Sequence, residues 1–319
     1  MTADSPSEVV TLGETMALMR ADSPGPLQHA SGLSLGMGGS ESNFAIALRR
    51  LGTTVTWVGR VGVDSLGDYI RRELAAEQID AEVVADPTAP TGLMIKERRT
   101  CATQKVWYYR RGSAGSHLSS TDLPVEKIRR ARLLHVTGIT PALSESASTA
   151  VHRAIDIARD AGTLVAFDVN YRTSLWAPEV AGEVFRGLAA RADIVFASDD
   201  EAVLLVGATD DPIDLARGIA DLGPAQVVIK LGDRGCVALV DGVTYRVEAV
   251  KVDTLDSVGA GDGFVAGYVA ELLSGADASV RLDTAVRVGA FACLVPGDWE
   301  GMPRRSELAM LEAREPVTR

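Results

Sequence analysis

Residues 256–262 read DSVGAGD, and an apolar pattern of helical period that includes Phe264 follows at once. Glycines at the start of a helix leave backbone N–H groups open to a ligand, and the positive end of the helix dipole attracts an anion. A carboxylate in that first turn can accept a hydroxyl proton while the amides stabilise the charge on a transferring phosphate. The stretch therefore predicts a phosphoryl-transfer site, with Asp262 as the base and an anion hole formed by the backbone of Gly259, Ala260, Gly261 and Asp262.

On the N-terminal side of this stretch, short apolar runs alternate with segments of helical period. Two of the helical segments, residues 43–51 and 144–161, end just before a glycine, which suits a helix C-terminus. Such alternation is typical of βαβ units, and continuous apolarity indicates strands that are covered on both faces. The sequence predicts an α/β fold with a mostly parallel sheet, whose clearest strands are residues 9–12, 54–58, 133–136, 164–169, 194–197 and 227–231.

Two stretches depart from this alternation. Residues 14–37 mix Gly, Pro and Ser with alternating apolar positions, and residues 83–112 are rich in Thr, Val, Trp and Tyr without a helical period. Both patterns indicate short strands that could pair into a small accessory sheet. Near the open edge of an α/β domain such a sheet would serve as a lid. We therefore expect one domain, residues 1–319, with this lid inserted in it.

The composition limits the partners of the protein. Its 319 residues include 32 Lys and Arg against 43 Asp and Glu, a formal net charge of −11. A surface this acidic repels nucleic-acid phosphates and anionic lipids, and no run approaches the roughly 20 apolar residues of a membrane span. Residues 1–7 are polar and unlike a signal peptide, and the three cysteines are too dispersed for a disulfide framework. We expect a cytoplasmic protein that binds neither nucleic acid nor membranes.

Motifs of other phosphate-binding and hydrolytic proteins are either absent from the sequence or lie in surroundings that do not fit them. No lysine follows a glycine, so a Walker A loop is absent from the sequence, and there is no His-Arg-Asp tripeptide of a protein kinase. Gly261, Gly263 and Ala266 satisfy the dinucleotide-binding pattern G-x-G-x-x-A, but the residues after this helix look helical rather than like the next strand. Residues 32–36 satisfy G-x-S-x-G, but two further glycines follow where a nucleophile elbow requires a helix.

The DSVGAGD string has the D-T/S-x-G-A-G-D form of the C-terminal signature of the ribokinase-like (PfkB) sugar kinases, which the chain resembles over nearly its full length. Residues 38–45, GGSESNFA, are similar to the family's sugar-binding G-G-x-x-x-N-x-A segment, and residues 59–67 carry its G-x-x-G-x-D-x-x-G pattern. The resemblance implies a three-layer α/β/α fold with a mostly parallel central sheet and a small β-sheet lid. It also implies sugar contacts from Gly38, Gly39, Ser40 and Asn43.

Within that family, four segments resemble the 2-keto-3-deoxygluconate kinases: YYR at 108–110, GSAGS at 112–116, LHVTGITP at 134–141 and DVNYR at 168–172. A strand over residues 106–111 would place Tyr108 and Arg110 on one face, and Arg172 follows a strand end, where ligands of open α/β sheets gather. A guanidinium fork suits the carboxylate of a sugar acid, although each arginine could instead be solvated or paired with a nearby acid. The resemblance implies substrate contacts from Tyr108, Arg110, Arg172, Asp262 and Asp298.

The nucleotide site is less sharply marked. Residues 230–235, KLGDRG, resemble the family's K-x-G-x-x-G loop along the ATP phosphates, with a simple hairpin turn as the alternative. The family's N-x-x-E motif, which organises Mg²⁺, reads SDDE at 198–201, so only Glu201 carries over. Gly289 and Cys293 are small enough to admit adenine, although close helix packing would also explain them. The resemblance implies nucleotide contacts from Asn170, Lys230, Gly232, Arg234, Gly235, Gly259, Gly261, Gly289 and Cys293.

These features predict an ATP- and Mg²⁺-dependent kinase that transfers the γ-phosphate to the terminal hydroxyl of a sugar acid, 2-keto-3-deoxygluconate or its galactonate-derived epimer. The alternatives are fructokinase, ribokinase or 5-dehydro-2-deoxygluconokinase activity, or a non-catalytic sugar-binding protein on the same fold, against which the retention of Asp262 argues. Exposed edges of a lid sheet are usually covered, which favours a homo-oligomer, for example a dimer paired through the lid. Because ATP and a sugar acid are both anions, they require a local positive site within the acidic surface.

Overall fold

The computed structural model describes residues 7–100 and 103–312, and within these ranges the chain forms thirteen strands and nine α-helices. The strands are β1 Val9–Leu12, β2 Met16–Ala21, β3 Leu33–Gly38, β4 Val55–Gly62, β5 Asp80–Asp86, β6 Leu93–Arg98, β7 Gln104–Tyr109, β8 Leu133–Thr137, β9 Leu164–Asp168, β10 Ile194–Ser198, β11 Gln226–Lys230, β12 Cys236–Val240 and β13 Val243–Val247. The helices are α1 Ser40–Arg50, α2 Ser65–Ala76, α3 Val125–Arg130, α4 Glu145–Ala161, α5 Pro178–Ala189, α6 Asp199–Val206, α7 Pro212–Ala220, α8 Ala260–Ser274 and α9 Ala278–Ala292. None of the helices in the described part of the chain has the length and apolarity that crossing a membrane requires.

The larger sheet has nine strands in the order β13-β12-β11-β10-β9-β8-β1-β4-β5. The pairs β1–β4, β1–β8, β4–β5 and β10–β11 are parallel, whereas β12 and β13 join as an antiparallel hairpin at one edge. The predicted α/β class with a mostly parallel sheet is therefore confirmed, and all six predicted strands are present. The predicted strand 54–58 extends further, to Gly62, because residues 56–62 pair in parallel with β5.

The helices that cover the sheet follow the periodicity of the sequence. In α4 the predicted apolar stripe is buried, with Ala147, Val151, Ala154 and Ala158 all 0% exposed. The helix ends at Gly162, whose φ of +76° lies in the left-handed region that glycine adopts without strain. Local pattern and packing therefore agree in this element.

A second, four-stranded sheet has the order β3-β2-β6-β7, in which β2 and β6 are parallel and the other two pairs are antiparallel. Its strands lie within the two stretches predicted to form an accessory sheet. Residues 83–86 are a difference, because they belong to β5 and pair in parallel with β4 of the larger sheet. As an edge strand, β5 is only partly buried and lacks the continuous apolarity of the central strands.

The chain divides into two compact units. The first comprises residues up to Ser42, Val55–Ala166 and Tyr171–Ala177, and the second comprises Asn43–Thr54, Phe167–Asn170 and residues from Pro178 onward. The four-stranded sheet belongs to the first unit, and the DSVGAGD stretch belongs to the second. The expectation of one kinase domain over residues 1–319, with an inserted lid, stays a prediction.

Candidate active site

The DSVGAGD stretch forms the start of α8. Gly259 precedes the helix with φ +77°, and no side chain in the described ranges caps the helix start. A Cβ on Gly259 would collide with the backbone oxygen of Asp298, so both the conformation and the space require glycine. The N–H of Gly263 donates to the Gly259 oxygen at 2.9 Å, which begins the regular hydrogen bonding of the helix. The positive end of the helix dipole is thus available for an anion, as the sequence predicts.

Asp256, the first residue of the stretch, has a structural role that the sequence analysis did not assign. Its carboxylate is 4% exposed and accepts from the N–H of Val258 at 3.1 Å and from the N–H of Gly297 at 3.2 Å. These two bonds hold the approach to α8 against the segment that carries Asp298. The glycine-rich turn is therefore fixed from both sides.

Asp262 lies in the first turn of α8 and is 7% exposed. Its Oδ2 accepts from Nδ2 of Asn43 at 2.9 Å, and its Oδ1 accepts from Nδ2 of Asn170 at 3.3 Å. Asn43 was predicted to contact sugar and Asn170 to contact nucleotide. In the structure, both side chains contact Asp262, the predicted base. Asn170 has a left-handed φ of +40°, a conformation that asparagine tolerates better than most residues.

An ion pair between a partly buried lysine and a buried acid lies beside this site, with Lys230 Nζ 2.7 Å from Oδ1 of Asp168. Burial raises the pKa of Asp168 to about 6, the opposing charge of Lys230 lowers it, and the charges of Glu201 and Asp262 add to the increase. Burial would lower the pKa of Lys230, but the charges of Asp168, Glu201 and Asp262 outweigh it and raise the pKa. The charges of three carboxylates therefore act on one partly buried ammonium group, and Asp168, to which the sequence analysis gave no role, is its hydrogen-bonded partner.

A cavity of about 420 Å³ opens next to the start of α8, within the second unit. This volume is in the usual range of small-molecule pockets. Gly289 lines the cavity, and a Cβ added to it would lie 3.2 Å from the Ala260 oxygen, so close helix packing is observed there while the adenine contact stays a prediction. Six of the predicted nucleotide contacts lie together on the cavity wall: Lys230, Gly232, Gly235, Gly261, Gly289 and Cys293.

Other predicted nucleotide contacts lie outside that wall. Arg234 is exposed and pairs with Asp199 at 2.5 Å. The loop that carries Arg234 joins the antiparallel strands β11 and β12, so the hairpin alternative describes its shape correctly. Gly232 and Gly235 have φ of +60° and +92°, which allows the tight reversal. Asn170 and Gly259 belong instead to the surroundings of Asp262 and to the helix start.

Glu201 and Ser198 form a capping box at the start of α6. The Ser198 Oγ accepts from the Glu201 N–H at 3.2 Å, and the Ser198 N–H donates to Glu201 Oε2 at 2.7 Å. The S-x-x-E spacing is the usual signal for this motif, and serine caps a helix about as well as the asparagine it replaces. The described residues contain no cluster of three or more metal-binding side chains. A single carboxylate nevertheless suits Mg²⁺, which typically keeps several waters and binds substrate phosphates.

In the first unit, Arg110 pairs with a buried acid that the sequence analysis did not single out. Nitrogens Nε and Nη2 of Arg110 lie 2.7 and 2.6 Å from Oε2 of Glu14, whose side chain is fully buried. The hydroxyl of Ser113 donates to the other Glu14 oxygen. The guanidinium lies 5.8 Å from the centre of the Tyr108 ring, so the two predicted contacts are neighbours. Of the alternatives for Arg110, pairing with an acid is the arrangement observed.

The LHVTGITP segment surrounds a second buried carboxylate. Glu41, 1% exposed, accepts from the hydroxyls of Thr137 at 2.6 Å and Thr140 at 2.7 Å. Burial raises the pKa of Glu41, although these hydrogen bonds and the charge of Arg110 oppose the shift. The charge of Arg110 therefore acts on two buried carboxylates, and the pKa of one of them, Glu41, is raised by burial.

The G-x-x-G-x-D-x-x-G segment has a structural role in this chain. Asp64 caps α2 by accepting from the Gly67 N–H at 2.8 Å, and it accepts from both the N–H and the hydroxyl of Thr91 at 2.8 Å. Burial would raise the pKa of Asp64, but these hydrogen bonds outweigh it and lower the pKa. The segment thus ties α2 to the residues that lead into β6.

The remaining predicted sugar contacts differ in exposure. A Cβ on Gly39 would lie 3.0 Å from the Thr15 Cα, so glycine permits a close backbone approach there. Arg172 is exposed, with Nη1 3.4 Å from the Tyr171 oxygen, which matches the solvated alternative. Asp298 is 6% exposed. Gly38 ends β3 and Ser40 begins α1.

Comparisons with known proteins agree with this architecture. A model of the pfkB family carbohydrate kinases matches residues 6–305. The 2-dehydro-3-deoxygluconokinase of Bacillus subtilis (strain 168) is 37% identical over 307 residues, covering 95% of this chain and 94% of its own. That of Thermoproteus tenax is 35% identical over 311 residues, covering 96% and 94%. A provisional ribokinase II from Escherichia coli, solved with ATP and Mg²⁺, superposes with a TM-score of 0.89 at 25% identity, covering 97% of this chain and 100% of its own. These likenesses confirm the ribokinase-like fold, and the chain belongs to the pfkB family of carbohydrate kinases.

Proposed function

We propose that this protein is an ATP- and Mg²⁺-dependent kinase that phosphorylates the terminal hydroxyl of 2-keto-3-deoxygluconate, also called 2-dehydro-3-deoxygluconate. The observation that carries the proposal is the buried carboxylate of Asp262 in the first turn of α8, at a helix start bordered by a cavity of about 420 Å³. The two relatives named for this activity, at 37% and 35% identity over nearly the whole chain, support the substrate. The galactonate-derived epimer is a substrate of the same class.

The chemistry follows from the residues around the helix start. Asp262 accepts the proton of the sugar hydroxyl while the hydroxyl oxygen bonds to the γ-phosphorus of ATP. The bond from that phosphorus to the β,γ-bridging oxygen breaks, and ADP leaves with the electron pair. Backbone amides from Gly259 to Asp262 stabilise the charge on the phosphate oxygens. Glu201 would help to hold Mg²⁺, which supplies positive charge next to the phosphates when bound.

Nucleotide binding is proposed for the residues on the cavity wall. Lys230 supplies the ammonium group that phosphates require, and its raised pKa keeps it charged. The apolar part of the wall, which includes Phe264 and Gly289, suits an adenine ring. Arg234 is exposed at the hairpin and would have to exchange Asp199 for a phosphate oxygen.

Recognition of the sugar is proposed for the residues that the sequence predicts as substrate contacts. Oδ1 of Asn43 is buried and finds no partner among the described residues, so it suits a hydroxyl that a ligand supplies. Arg110 and Arg172 would bind the carboxylate of the sugar acid, with Tyr108 beside Arg110. Within residues 7–100 and 103–312, Glu14 accepts from Nε and Nη2 of Arg110, and the other N–H donors of the guanidinium suit a ligand. Gly38, Gly39, Ser40 and Asp298 complete the proposed contacts.

One observation favours a second candidate, a kinase for a neutral sugar such as fructose. The carboxylate of Glu14 is fully buried and neutralises much of the charge that Arg110 could offer to a sugar acid. A neutral sugar would need hydrogen-bond donors at this position but no net positive charge.

A panel of sugars and sugar acids, assayed with ATP and Mg²⁺ by coupled ADP release, tests the proposal. We expect the highest kcat/KM for 2-keto-3-deoxygluconate or its epimer, whereas a maximum with fructose or ribose would contradict the proposal. Arg110→Ala and Arg172→Ala should reduce kcat/KM for the acid by at least about tenfold each, the loss of one charge-assisted hydrogen bond. Arg111→Ala is the matched control, because this exposed neighbour has no proposed contact and should leave the kinetics unchanged.

We also propose a cytoplasmic homodimer. The edge strands of the four-stranded sheet expose apolar side chains, with Leu35 46%, Trp107 41% and Tyr109 62% exposed. A second copy of the chain would cover these edges. Light scattering should give a dimer mass for the wild type and a monomer mass for Tyr109→Glu, and a monomeric wild type would refute the dimer. The need for ATP supports a cytoplasmic location.

A further inference from the structure

The chain has only two asparagines among its 319 residues, Asn43 and Asn170, and the side-chain amides of both donate to Asp262. They come from distant parts of the sequence, one in α1 and the other just after β9. Each bonds a different carboxylate oxygen, at 2.9 and 3.3 Å. All three side chains are buried, with exposures of 3%, 6% and 7% for Asn43, Asn170 and Asp262. Both amides therefore act on one carboxylate from which water is largely excluded.

Two amide donors favour the ionised form of a carboxylate. Hydrogen bonds from N–H groups to a charged oxygen are stronger than those to a neutral acid, so they lower the proton affinity of the group. An ionised carboxylate offers about four lone-pair positions. Because the two amides donate to different oxygens, their bonds also fix the orientation of the Asp262 carboxylate.

The charges around Asp262 make this support necessary. The charged groups that influence the site are Asp168 from β9, Lys230 from β11 and Glu201 from α6. Asp298 lies in the segment whose backbone oxygen meets Gly259. Carboxylates thus outnumber ammonium groups here, and a buried acid among them tends to hold its proton, as the raised pKa of Asp168 indicates. Asp262 needs donors of its own if it is to be ionised before the reaction.

The orientation of the Asn43 amide is determined by its partner. If the amide turned over, Oδ1 would face the carboxylate oxygen and repel it, so Nδ2 must point to Asp262. Asn170 has a left-handed backbone, a conformation that costs energy and usually persists where the surrounding structure enforces it. Both amides are therefore held in place before a substrate binds.

We infer that Asn43 and Asn170 are positioning residues that keep Asp262 ionised at neutral pH and orient its carboxylate. The inference rests on the proposed role of Asp262 as the base. It adds to the sugar and nucleotide contacts proposed for the two asparagines, because it concerns their bonds to Asp262 in the protein without ligands.

The test measures the pKa of Asp262 directly, by NMR titration of protein labelled with ¹³C at the aspartate carboxyl carbons. The Asp262 resonance is identified by its disappearance in Asp262→Asn. Asn43→Ala removes one amide from a helix, and Asn170→Gly removes the other while tolerating the left-handed backbone. Each variant should raise the midpoint of Asp262 by about one to two pH units, the effect of losing one hydrogen bond to a charged group.

Gln226→Ala is the matched control, because this side chain also carries an amide but bonds the hydroxyl of Tyr268 instead. It should leave the Asp262 midpoint at the wild-type value. Equal midpoints in the wild type, Asn43→Ala and Asn170→Gly would overturn the inference, even if the variants unfold at lower temperature, because a purely structural role changes stability and not this titration.

The pH dependence of kcat provides a second measurement. The acidic limb of the profile should move to higher pH by the same amount in Asn43→Ala and Asn170→Gly, and variants that lose turnover with no displacement of the limb would contradict the inference. If the wild type phosphorylates no sugar or sugar acid, the proposed function fails. The NMR titration needs no turnover, so it tests the role of the asparagines in either case.

Discussion

Replacement of Asp168 by asparagine should change how the stability of the protein depends on pH. Burial raises the pKa of Asp168 from the ordinary value of 3.8 to about 6. Below about pH 4 the carboxyl group is protonated in both the folded and the unfolded chain. Between about pH 4 and pH 6 the unfolded chain loses this proton while the folded protein keeps it, so the free energy of unfolding falls as pH rises.

The size of this effect follows from the shift in pKa. A difference of about two units at 1.36 kcal/mol per unit amounts to about 3 kcal/mol, lost in full once the pH exceeds about 6. Asp168→Asn carries a neutral side chain at every pH and lacks this loss. Lys230 stays charged between pH 4 and pH 7, so its own contribution to the free energy of unfolding does not change with pH. Relative to the wild type, the variant should therefore gain about 3 kcal/mol of stability between pH 4 and pH 7.

Urea unfolding followed by tryptophan fluorescence at pH 4, 5, 6 and 7 measures this difference. Asp160→Asn is the matched control, because it makes the same chemical change at an exposed position of α4 and should give no pH-dependent difference. A difference between Asp168→Asn and the wild type that stays constant from pH 4 to pH 7 would refute the reasoning. It would mean that the pairing with Lys230 outweighs burial and keeps Asp168 ionised in the folded protein.

Three further substitutions test the helix start and the cavity. Asp262→Asn should lower kcat by about 10²- to 10⁴-fold in the ADP-release assay while calorimetry finds ATP binding nearly unchanged, and near wild-type turnover would exclude Asp262 as the base. Gly259→Ala should cost at least about 1–2 kcal/mol in urea unfolding, because alanine at φ +77° is strained and its Cβ would meet the Asp298 oxygen; unchanged stability would contradict the stated requirement for glycine. Gly289→Leu would fill part of the cavity, so KM for ATP should rise at least about tenfold while KM for the sugar acid stays the same, and an unchanged KM for ATP would place adenine elsewhere.

Much of the larger sheet could be predicted from local pattern. The strands at 9–12, 133–137 and 194–198 are mostly apolar because parallel strands in the centre of a sheet are covered on both faces. The edge strand β5 was missed because one of its sides has no neighbour, so most of its residues are only half-buried and the strand resembles the accessory sheet. The other strands were recognisable because burial on both faces requires mostly apolar residues.

The candidate site could be predicted where its functional residues are contiguous in the sequence. The start of α8 could be found because helix dipole, glycine conformation and acid lie within seven consecutive residues. The capping box of Ser198 and Glu201 was equally local, and its S-x-x-E spacing could have revealed it. The partners of Arg110 could not be foreseen, because Glu14 carries no local signal that distinguishes it from other acids.

The sequence by itself determined the class of fold, the helix start that can bind an anion and the acid within it, because these depend on the order of side chains over short distances. Only the tertiary structure decided which groups act on that acid. Asn43, Asn170 and the Asp168–Lys230 pair come from separate elements, and their contacts depend on how the strands and helices pack. The proton affinity of a buried carboxylate is governed by such neighbours and by the exclusion of water. Neither can be predicted from the residues beside it in the chain.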